Sequence, residues 1–165
     1  HTSDSMEVHP DIVVDWTRQG IEGAKDKGNT LFSQGNFEES VRWFTKAIWL
    51  AEPERVHDIP TGLRSMLHSN RAFANLRLKN WADVKQDCSA ALVLNKQNTK
   101  ARYRRALATF ETGFYDAALR DTEQVLKELP EHNRQEALSL KQRIEDKLAI
   151  AEGGWRPMEV VELTE

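Results

Sequence analysis

An internal repeat constrains the fold of this chain more than any other sequence feature. Three similar stretches, each a small or polar turn followed by an aromatic residue, end in Phe37, Trp81 and Tyr115. These aromatic residues are separated by 44 and then by 34 positions. A period of 34 residues is typical of a solenoid in which each unit is a helix, a turn and a second helix. The sequence therefore predicts three stacked helical units.

The first interval exceeds this period by ten residues, and the excess lies between Glu52 and Thr61. Pro53 and Pro60 fall inside that stretch. A proline removes a backbone hydrogen bond and clashes with the preceding helical turn, so a continuous helix is excluded there. The sequence therefore predicts an insert between the first and second units.

Apolar residues inside each unit recur with helical spacing, which gives the second helix of each pair a buried stripe. The first two stripes are Phe37, Val41, Phe44, Ala47 and Ile48, and Trp81, Val84, Cys88, Ala91 and Leu92. From the stripes and the turns we predict seven α-helices and no strand. Their expected bounds are near 19–34, 37–51, 62–78, 81–94, 98–112, 115–129 and 133–151.

Small residues recur where paired helices must approach closely, at Gly28, Ala72 and Ala106. Cys88 takes the repeat position that Phe44 takes in the first unit. We therefore expect Cys88 to be a small buried side chain and not a reactive thiol.

The segments at the two ends show less pattern than the repeats. The last predicted helix has one apolar face, as expected of a helix that caps the open end of a stack. Trp16 and Trp155 are candidates for packing back against the stack. The expected organisation is an N-terminal extension at 1–18, a domain at 19–151 with repeats at about 19–52, 62–96 and 97–130 and the capping helix at 133–151, and a C-terminal tail at 152–165.

Charge and hydropathy exclude several broad classes of function. The 165 residues carry a formal net charge of −3 and the sequence pI is about 6.0, which argues against a general binder of nucleic acid or membrane surfaces. No apolar run approaches the roughly 18 residues that span a bilayer, and no signal peptide is visible. With a single cysteine an internal disulfide is excluded. We expect a cytoplasmic domain, and the absence of Met at position 1 indicates a fragment.

Five polar residues on the predicted first helices form the candidate site: Lys25, Asn29, Asn70, Lys100 and Arg104. Lys25 and Asn29 are four positions apart and share a helix face, as do Lys100 and Arg104. Asn70 and Arg104 are 34 positions apart and occupy the same repeat position. Stacked first helices would bring these donors together, and all of them suit anionic oxygen. The expected ligand is a chain end with two nearby carboxylates, such as a terminal Asp.

The same residues carry a resemblance to a known family, the tetratricopeptide repeat (TPR) family, in its dicarboxylate-clamp co-chaperone subclass. The resemblance covers roughly residues 19–151. It implies an all-α, right-handed solenoid of three helix-turn-helix repeats plus a C-terminal capping helix. The stretches that carry it are Lys25-Asp26-Lys27-Gly28-Asn29, Ser69-Asn70-Arg71-Ala72 and Lys100-Ala101-Arg102-Tyr103-Arg104.

The resemblance also implies a function, that of a co-chaperone or adaptor module. Such domains bind the C-terminal Glu-Glu-Val-Asp tail of cytosolic heat-shock chaperones of the seventy- and ninety-kilodalton classes. By similarity, Lys25, Asn29 and Asn70, with Lys100, would hold the two terminal carboxylates. Lys100 and Arg104 would reach the peptide further up.

Three further residues on the groove-facing side extend this candidate site. Phe32 and Phe73 lie near the clamp in the predicted helices, and we expect them to seat the peptide's Val. Arg77 lies one further turn along the same helix as Phe73, where it is a candidate partner for an upstream Glu. We expect the neighbouring cations Arg71, Arg102 and Arg105 to lie off the groove or to deepen its positive potential.

The sequence indicates neither a catalytic nor a metal site. The five histidines show no metal-ligand spacing and no cysteine partner set. No Gly-rich phosphate loop or nucleophile elbow follows a strand, since no strand is predicted. We therefore expect no enzymatic activity, no cofactor and no metal. We also expect no nucleic-acid or membrane partner, and a monomer.

Other functions stay open at this point. They are a docking domain of an organelle-import receptor, a docking domain of a larger enzyme such as an immunophilin-type isomerase or a phosphatase, and a scaffold for an internal peptide. The insert at 52–61 adds modest support to the enzyme alternative, because it looks somewhat like the lengthened first repeat of immunophilins. In addition, Met158-Glu159-Val160-Val161-Glu162 loosely resembles a Met-Glu-Glu-Val-Asp tail, so residues 155–165 are a candidate occupant of the groove. Glu162 is internal, however, and lacks the free terminal carboxylate.

Overall fold

The computed structural model describes residues 6–153, in which seven α-helices and no β-strand are found. All seven predicted helices are confirmed, each within two residues of its expected bounds. A short 3-10 turn, Glu131–Asn133, precedes the last helix. The helices are α1 (Arg18–Ser33), α2 (Phe37–Leu50), α3 (Thr61–Arg77), α4 (Trp81–Leu94), α5 (Thr99–Glu111), α6 (Tyr115–Glu128) and α7 (Gln135–Ala151).

The turn inside each repeat uses the left-handed region of backbone space. Gly35, Lys79 and Gly113 have φ angles of 79°, 61° and 87° and occupy the same repeat position. This conformation ends the first helix by letting the chain reverse, and glycine adopts it at little steric cost. Lys79 holds the same geometry with a side chain, so the repeat and not the residue type sets the turn.

The helices form two layers. Each helix packs on the next along the chain, and α1 contacts α3, α3 contacts α5 and α5 contacts α7. Contacts between successive second helices are sparse in the described residues. The layer of first helices is therefore the more closely spaced one, which makes α1, α3, α5 and α7 the inner, concave side of the stack.

Close packing inside each pair explains the small residues of the first helices. A Cβ atom added at Gly28 would lie 2.6 Å from the ring of Phe44, and the Ser40 hydroxyl donates to the Gly28 carbonyl over 2.8 Å. Where the first helix carries the larger Ala72, the second carries Cys88 in place of Phe44. Cys88 is fully buried, as predicted.

The insert and the N-terminal extension are packed parts of the fold. Val56 and Ile59 of the insert are buried in the same apolar cluster as α1, α2 and α3. In the extension, Ile12 is buried, and the fully buried Lys46 of α2 donates to the carbonyl of Val8 over 2.9 Å.

Trp16 packs edge-on against the ring of Trp49, with 5.5 Å between the ring centroids, so its predicted return to the stack is confirmed. Trp155 and the stretch 158–162 lie outside the described residues. Between residues 6 and 153, no helix is long and apolar enough to cross a membrane.

Candidate functional site

The inner layer brings the predicted site residues to one region. Asn29 of α1, Asn70 of α3 and Lys100 of α5 line a single open cleft of about 550 Å³. Met66 and Ser69 also line this cleft. We call this cleft, with the adjoining residues Lys25 and Arg104, the inner groove.

Lys25 and Arg104 border the cleft through these two neighbours. The Lys25 Nζ atom lies 3.9 Å from the sulfur of Met66. Arg104 Nη1 donates to the carbonyl and to the hydroxyl of Ser69, over 2.8 Å and 2.9 Å. Met66 and Ser69 were not predicted to be site residues. Met66 lies 34 positions before Lys100, and Ser69 lies 34 positions before Tyr103, and these two residues of α5 face the same side.

A direct hydrogen bond links the two asparagines across adjacent first helices. Asn70 Nδ2 donates to Asn29 Oδ1 over 3.2 Å. The bond leaves the amide of Asn29 with both of its N–H donors and that of Asn70 with one. Two amides from different repeats are thus held side by side before any ligand arrives.

Arg104 is a poorly solvated cation. Its guanidinium carbon lies 4.1 Å from the centre of the Phe73 ring, a cation–π contact. Burial lowers the pKa of Arg104 to about 10, which still leaves the side chain charged at neutral pH. A charge in such surroundings is stabilised by an anion that enters the groove.

Neither Lys100 nor Arg104 forms an ion pair within the described part of the chain. Lys25 lies 3.7 Å from the carboxylate of Asp26, whose side chain is 74% exposed. Such an exposed pair contributes little and gives way easily to a better acceptor. The inner groove therefore presents positive charge that the described residues leave largely uncompensated.

Other cations near the site are neutralised between the helices of a pair. Arg71 makes two hydrogen bonds of 2.7 Å to Asp87, and Arg105 makes two of 2.7 Å and 2.9 Å to Asp121. The two pairs are related by 34 positions. Both arginines point from a first helix to its second helix, so they lie off the inner groove as predicted.

His68 also contacts Asp87, with 3.0 Å between Nδ1 and Oδ1. Burial by itself raises the pKa of Asp87, but the hydrogen bonds from Arg71 and His68 outweigh it and hold the pKa below its ordinary value. The carboxylate is therefore ionised and committed to structure.

The aromatic candidates lie beside Arg104 and form a stack. The ring centroids of Phe32 and Phe73 are 4.5 Å apart, and those of Phe32 and Phe37 are 5.1 Å apart. The Arg77 guanidinium lies 4.8 Å from the Phe37 ring and 5.8 Å from the Phe32 ring. The sequence predicts Phe37 as the residue that opens α2 and as part of its apolar stripe, but not as a residue of the site. The stack runs between two arginines, and Phe32 and Phe73 are both half-buried.

A second cleft, of about 420 Å³, continues from the inner groove toward α7. It shares Thr99 and Lys100 with the first cleft, and its apolar walls include Tyr103, Leu129 and Ala137. Lys100 thus lies between a polar cleft and a more apolar one.

The described residues contain no cluster of three or more His, Cys, Asp or Glu side chains suited to a metal ion. Burial raises the pKa of the Cys88 thiol to about 12, so the thiol is protonated at neutral pH. The chemistry that the inner groove offers is hydrogen bonding and charge pairing.

Comparison with known proteins gives several relatives, although no model of a known protein family matches the chain. The mitochondrial import receptor subunit TOM70 of Rattus norvegicus is 39% identical over 87 residues, which are 53% of this chain and 13% of that protein. RNA polymerase II-associated protein 3 of Homo sapiens is 35% identical over 131 residues, which are 79% of this chain and 18% of that protein. The chain therefore spans less than a fifth of the length of these two relatives.

Solved structures of single domains match over nearly their whole length. The first TPR of Spaghetti (RPAP3), bound to the HSP90 peptide SRMEEVD, is 34% identical with a TM-score of 0.69, over 81% of this chain and 98% of that one. The second TPR domain of human RPAP3, in complex with the HSP70 peptide SGPTIEEVD, is 28% identical with a TM-score of 0.63, over 74% of this chain and 92% of that one.

Proposed function

The chain belongs to the tetratricopeptide repeat family, and we propose that it is a co-chaperone or adaptor module that binds the C-terminal tails of heat-shock chaperones. The ligand is the Glu-Glu-Val-Asp end of the seventy- and ninety-kilodalton classes. It binds in the inner groove as an extended peptide. The proposal involves no catalytic step, cofactor or metal.

One observation carries this proposal: donors from three different repeats converge on one cleft whose lining residues include no carboxylate. Asn29, Asn70 and Lys100 line the cleft, and Lys25 and Arg104 border it. Two domains of similar structure are bound to peptides that end in EEVD. A terminal Asp offers its side-chain and main-chain carboxylates to such a set of donors.

The residues have distinct roles in the proposed complex. Lys25, Asn29 and Asn70, with Lys100, hold the two terminal carboxylates. Arg104 reaches the peptide further up with the donors that Ser69 does not use. Each hydrogen bond to a charged group contributes about 1.5 to 3 kcal/mol before the cost of ordering the peptide, so micromolar affinity is expected.

Apolar contacts would add selectivity. Phe32 and Phe73 offer aromatic surface for the peptide's Val, and Arg77 is the proposed partner of an upstream Glu. The apolar cleft beside Lys100 and Tyr103 has room for a side chain upstream of the four terminal residues. Both SRMEEVD and SGPTIEEVD carry an apolar residue directly before EEVD.

Substitution of Lys100 tests the proposal. We expect Lys100→Ala to abolish measurable binding of an EEVD peptide in calorimetry, because Lys100 serves both carboxylates and the upstream peptide. Lys127→Ala is the matched control, since Lys127 is exposed on α6 and should leave the affinity unchanged. Normal binding by Lys100→Ala, with unchanged helical circular dichroism, contradicts the proposal.

A second candidate function is the docking domain of an organelle-import receptor, which the similarity to TOM70 favours. That function would use the same peptide site within a membrane-anchored protein, whereas the first proposal places the protein in the cytoplasm. Fractionation of cells that express the complete protein separates the two, since only the receptor would sediment with membranes after a salt wash.

A further inference from the structure

The outer side of the stack, formed by the second helices, carries two repeat-related clefts of opposite charge. The cleft beside α2 and α4 has a volume of about 420 Å³ and is lined by one cation and three carboxylates, Arg71, Glu38, Asp83 and Asp87. The cleft beside α4 and α6 has a volume of about 230 Å³ and is lined by three cations and one carboxylate, Lys85, Arg105, Arg120 and Asp121.

Substitutions at equivalent positions produce this reversal. Gln86 of the first cleft corresponds to Arg120 of the second, 34 positions later, and Asp83 corresponds to Ala117. The Arg–Asp pair itself is the same in both clefts. The basic character of the second cleft is therefore a property of its surface residues and not of the pair that holds the helices together.

An apolar cleft of about 410 Å³ adjoins the basic one and shares Ala117 and Arg120 with it. Its apolar walls include Phe114, which is 60% exposed, together with Leu148 and Ala151 of α7, and its charged lining residues are Asp116 and Arg120. Lys85 joins the two clefts, since its Nζ atom lies 4.8 Å from the centre of the Phe114 ring. We call this surface the outer patch: Lys85, Phe114, Arg120, Leu148 and Ala151.

The chain leaves the described residues at the edge of the outer patch. Ala151 is both the last residue of α7 and part of the patch. Gly153 then takes a φ of 72°, and its N–H donates to the carbonyl of Ile150 over 3.0 Å, a turn that reverses the chain direction. Residues 154–165 follow directly, and at about 3.3 Å per extended residue they reach across the whole patch.

The composition of that segment complements the patch. It contains Trp155, Met158, Val160, Val161 and Leu163, which suit the apolar cleft. It also contains three glutamates against one arginine, which suit the basic cleft.

We propose that residues 155–165 dock on the outer patch, with apolar side chains against Phe114 and Leu148 and glutamates near Arg120 and Lys85. The outer patch lies on α4, α6 and the C-terminal end of α7, whereas the inner groove lies on α1, α3 and α5, and the two share no lining residue. The docked segment therefore leaves the groove open to a peptide. This is the alternative to the hypothesis in which the stretch 158–162 mimics a chaperone tail inside the groove.

A spin label on the segment tests the proposal without any peptide. The variant Leu163→Cys is labelled with a nitroxide in the 165-residue chain, and loss of amide signal is measured by NMR. We expect selective loss at Ala117 and Arg120. Cys88 is buried with a raised pKa, so the unsubstituted chain given the same reagent shows the background.

Charge variants identify the contacts. In the labelled chain, Arg120→Gln should weaken the signal loss in α6, and Lys85→Gln added to it should restore the signals. Gln86→Glu is the matched control, because it lowers the charge by one unit at the position equivalent to Arg120 and should leave the signal loss in place. Loss at Asn29 and Asn70 would overturn the proposal in favour of the inner groove, and loss at no particular surface would overturn it as well.

Discussion

At the scale of single residues, the environment of Arg104 distinguishes it from the other arginines of the stack. Arg71 and Arg105 each face a carboxylate, whereas Arg104 faces a carbonyl, a hydroxyl and the ring of Phe73. These neutral partners orient the guanidinium without cancelling its charge. Arg104 is therefore held ready for an anion before a ligand arrives.

The planar shape of the Arg104 guanidinium group should matter as much for peptide binding as its charge. Lys offers neither the two parallel donors nor the flat face that lies on Phe73. We expect Arg104→Lys to weaken binding of an EEVD peptide about tenfold or more, which corresponds to roughly 1.4 kcal/mol or more. The measurement is a calorimetric titration.

Arg105→Lys is the control for this prediction. It makes the same change one position later, where the side chain bonds to Asp121 on α6. It should leave peptide affinity unaltered even if it lowers stability. Equal losses of affinity in the two variants would show that the fork of Arg104 has no special role.

At the scale of the helical elements, a paired cation links the first helix to the second at one position of every repeat. It is an Arg–Asp pair in the second and third repeats, Arg71 with Asp87 being the more buried. In the first repeat the equivalent residues are Lys27 and Trp43, with Nζ 5.9 Å from the ring centre. All three repeats thus keep a contact between the first and second helices at this position. It is an ion pair in two repeats and a cation–π contact in the first.

Breaking the central pair should destabilise the stack. The side chain of Asp87 is only 5% exposed, so Asp87→Asn leaves Arg71 partly buried without a counter-ion. We expect a loss of about 3 kcal/mol in the free energy of unfolding near neutral pH, measured by urea denaturation. An unchanged denaturation midpoint would mean that water solvates Arg71 and Asp87 fully, so that the ion pair adds no stability.

The same pair predicts a pH dependence. The pKa of Asp87 is lowered in the folded state, so its stabilisation is fully present above the ordinary value of 3.8 and is lost as pH falls through the lowered pKa. The stability difference between the unsubstituted chain and Asp87→Asn should therefore shrink in acid. A difference that grows as pH falls would contradict the assignment.

The turn inside each repeat allows the energetic cost of a positive φ angle to be tested without any steric clash. No atom lies within 4 Å of a Cβ added at Gly113, so Gly113→Ala meets only the strain of a positive φ. We expect it to lower the free energy of unfolding by about 1 kcal/mol, measured by thermal or urea denaturation. Lys79→Gly, at the equivalent turn, should be neutral or slightly stabilising. The opposite order of the two variants would mean that the turns are not equivalent.

At the scale of the whole molecule, local patterns predicted most of the fold. The turns before Phe37, Trp81 and Tyr115 and the apolar stripes that follow are short-range signals, so they predicted all seven helices. The repeat period also placed Asn70 and Arg104 on the same face.

Long-range contacts could not be predicted in this way. The buried Lys46 depends on the extension, with partners such as Val8 that lie 38 positions earlier, and a lysine in a helix gives no sign of burial. The contact of Arg71 with Asp87 was missed because the first repeat has Trp43 in place of the aspartate, which hides the pattern. The stack of Phe32 on Phe73 joins α1 to α3, and its geometry depends on how two repeats pack.

Recognition of a chain end is the property that most sharply defines the inner groove as a carboxylate-binding site. Calorimetric titration of one EEVD peptide, with a free and then with an amidated C-terminus, measures this directly. We predict micromolar binding of the free peptide and an affinity about tenfold to a hundredfold lower for the amidated one, since amidation removes a carboxylate whose hydrogen bonds are worth roughly 1.5 to 3 kcal/mol each. Equal affinities would contradict the central claim, because a groove that binds internal peptide segments does not distinguish the two.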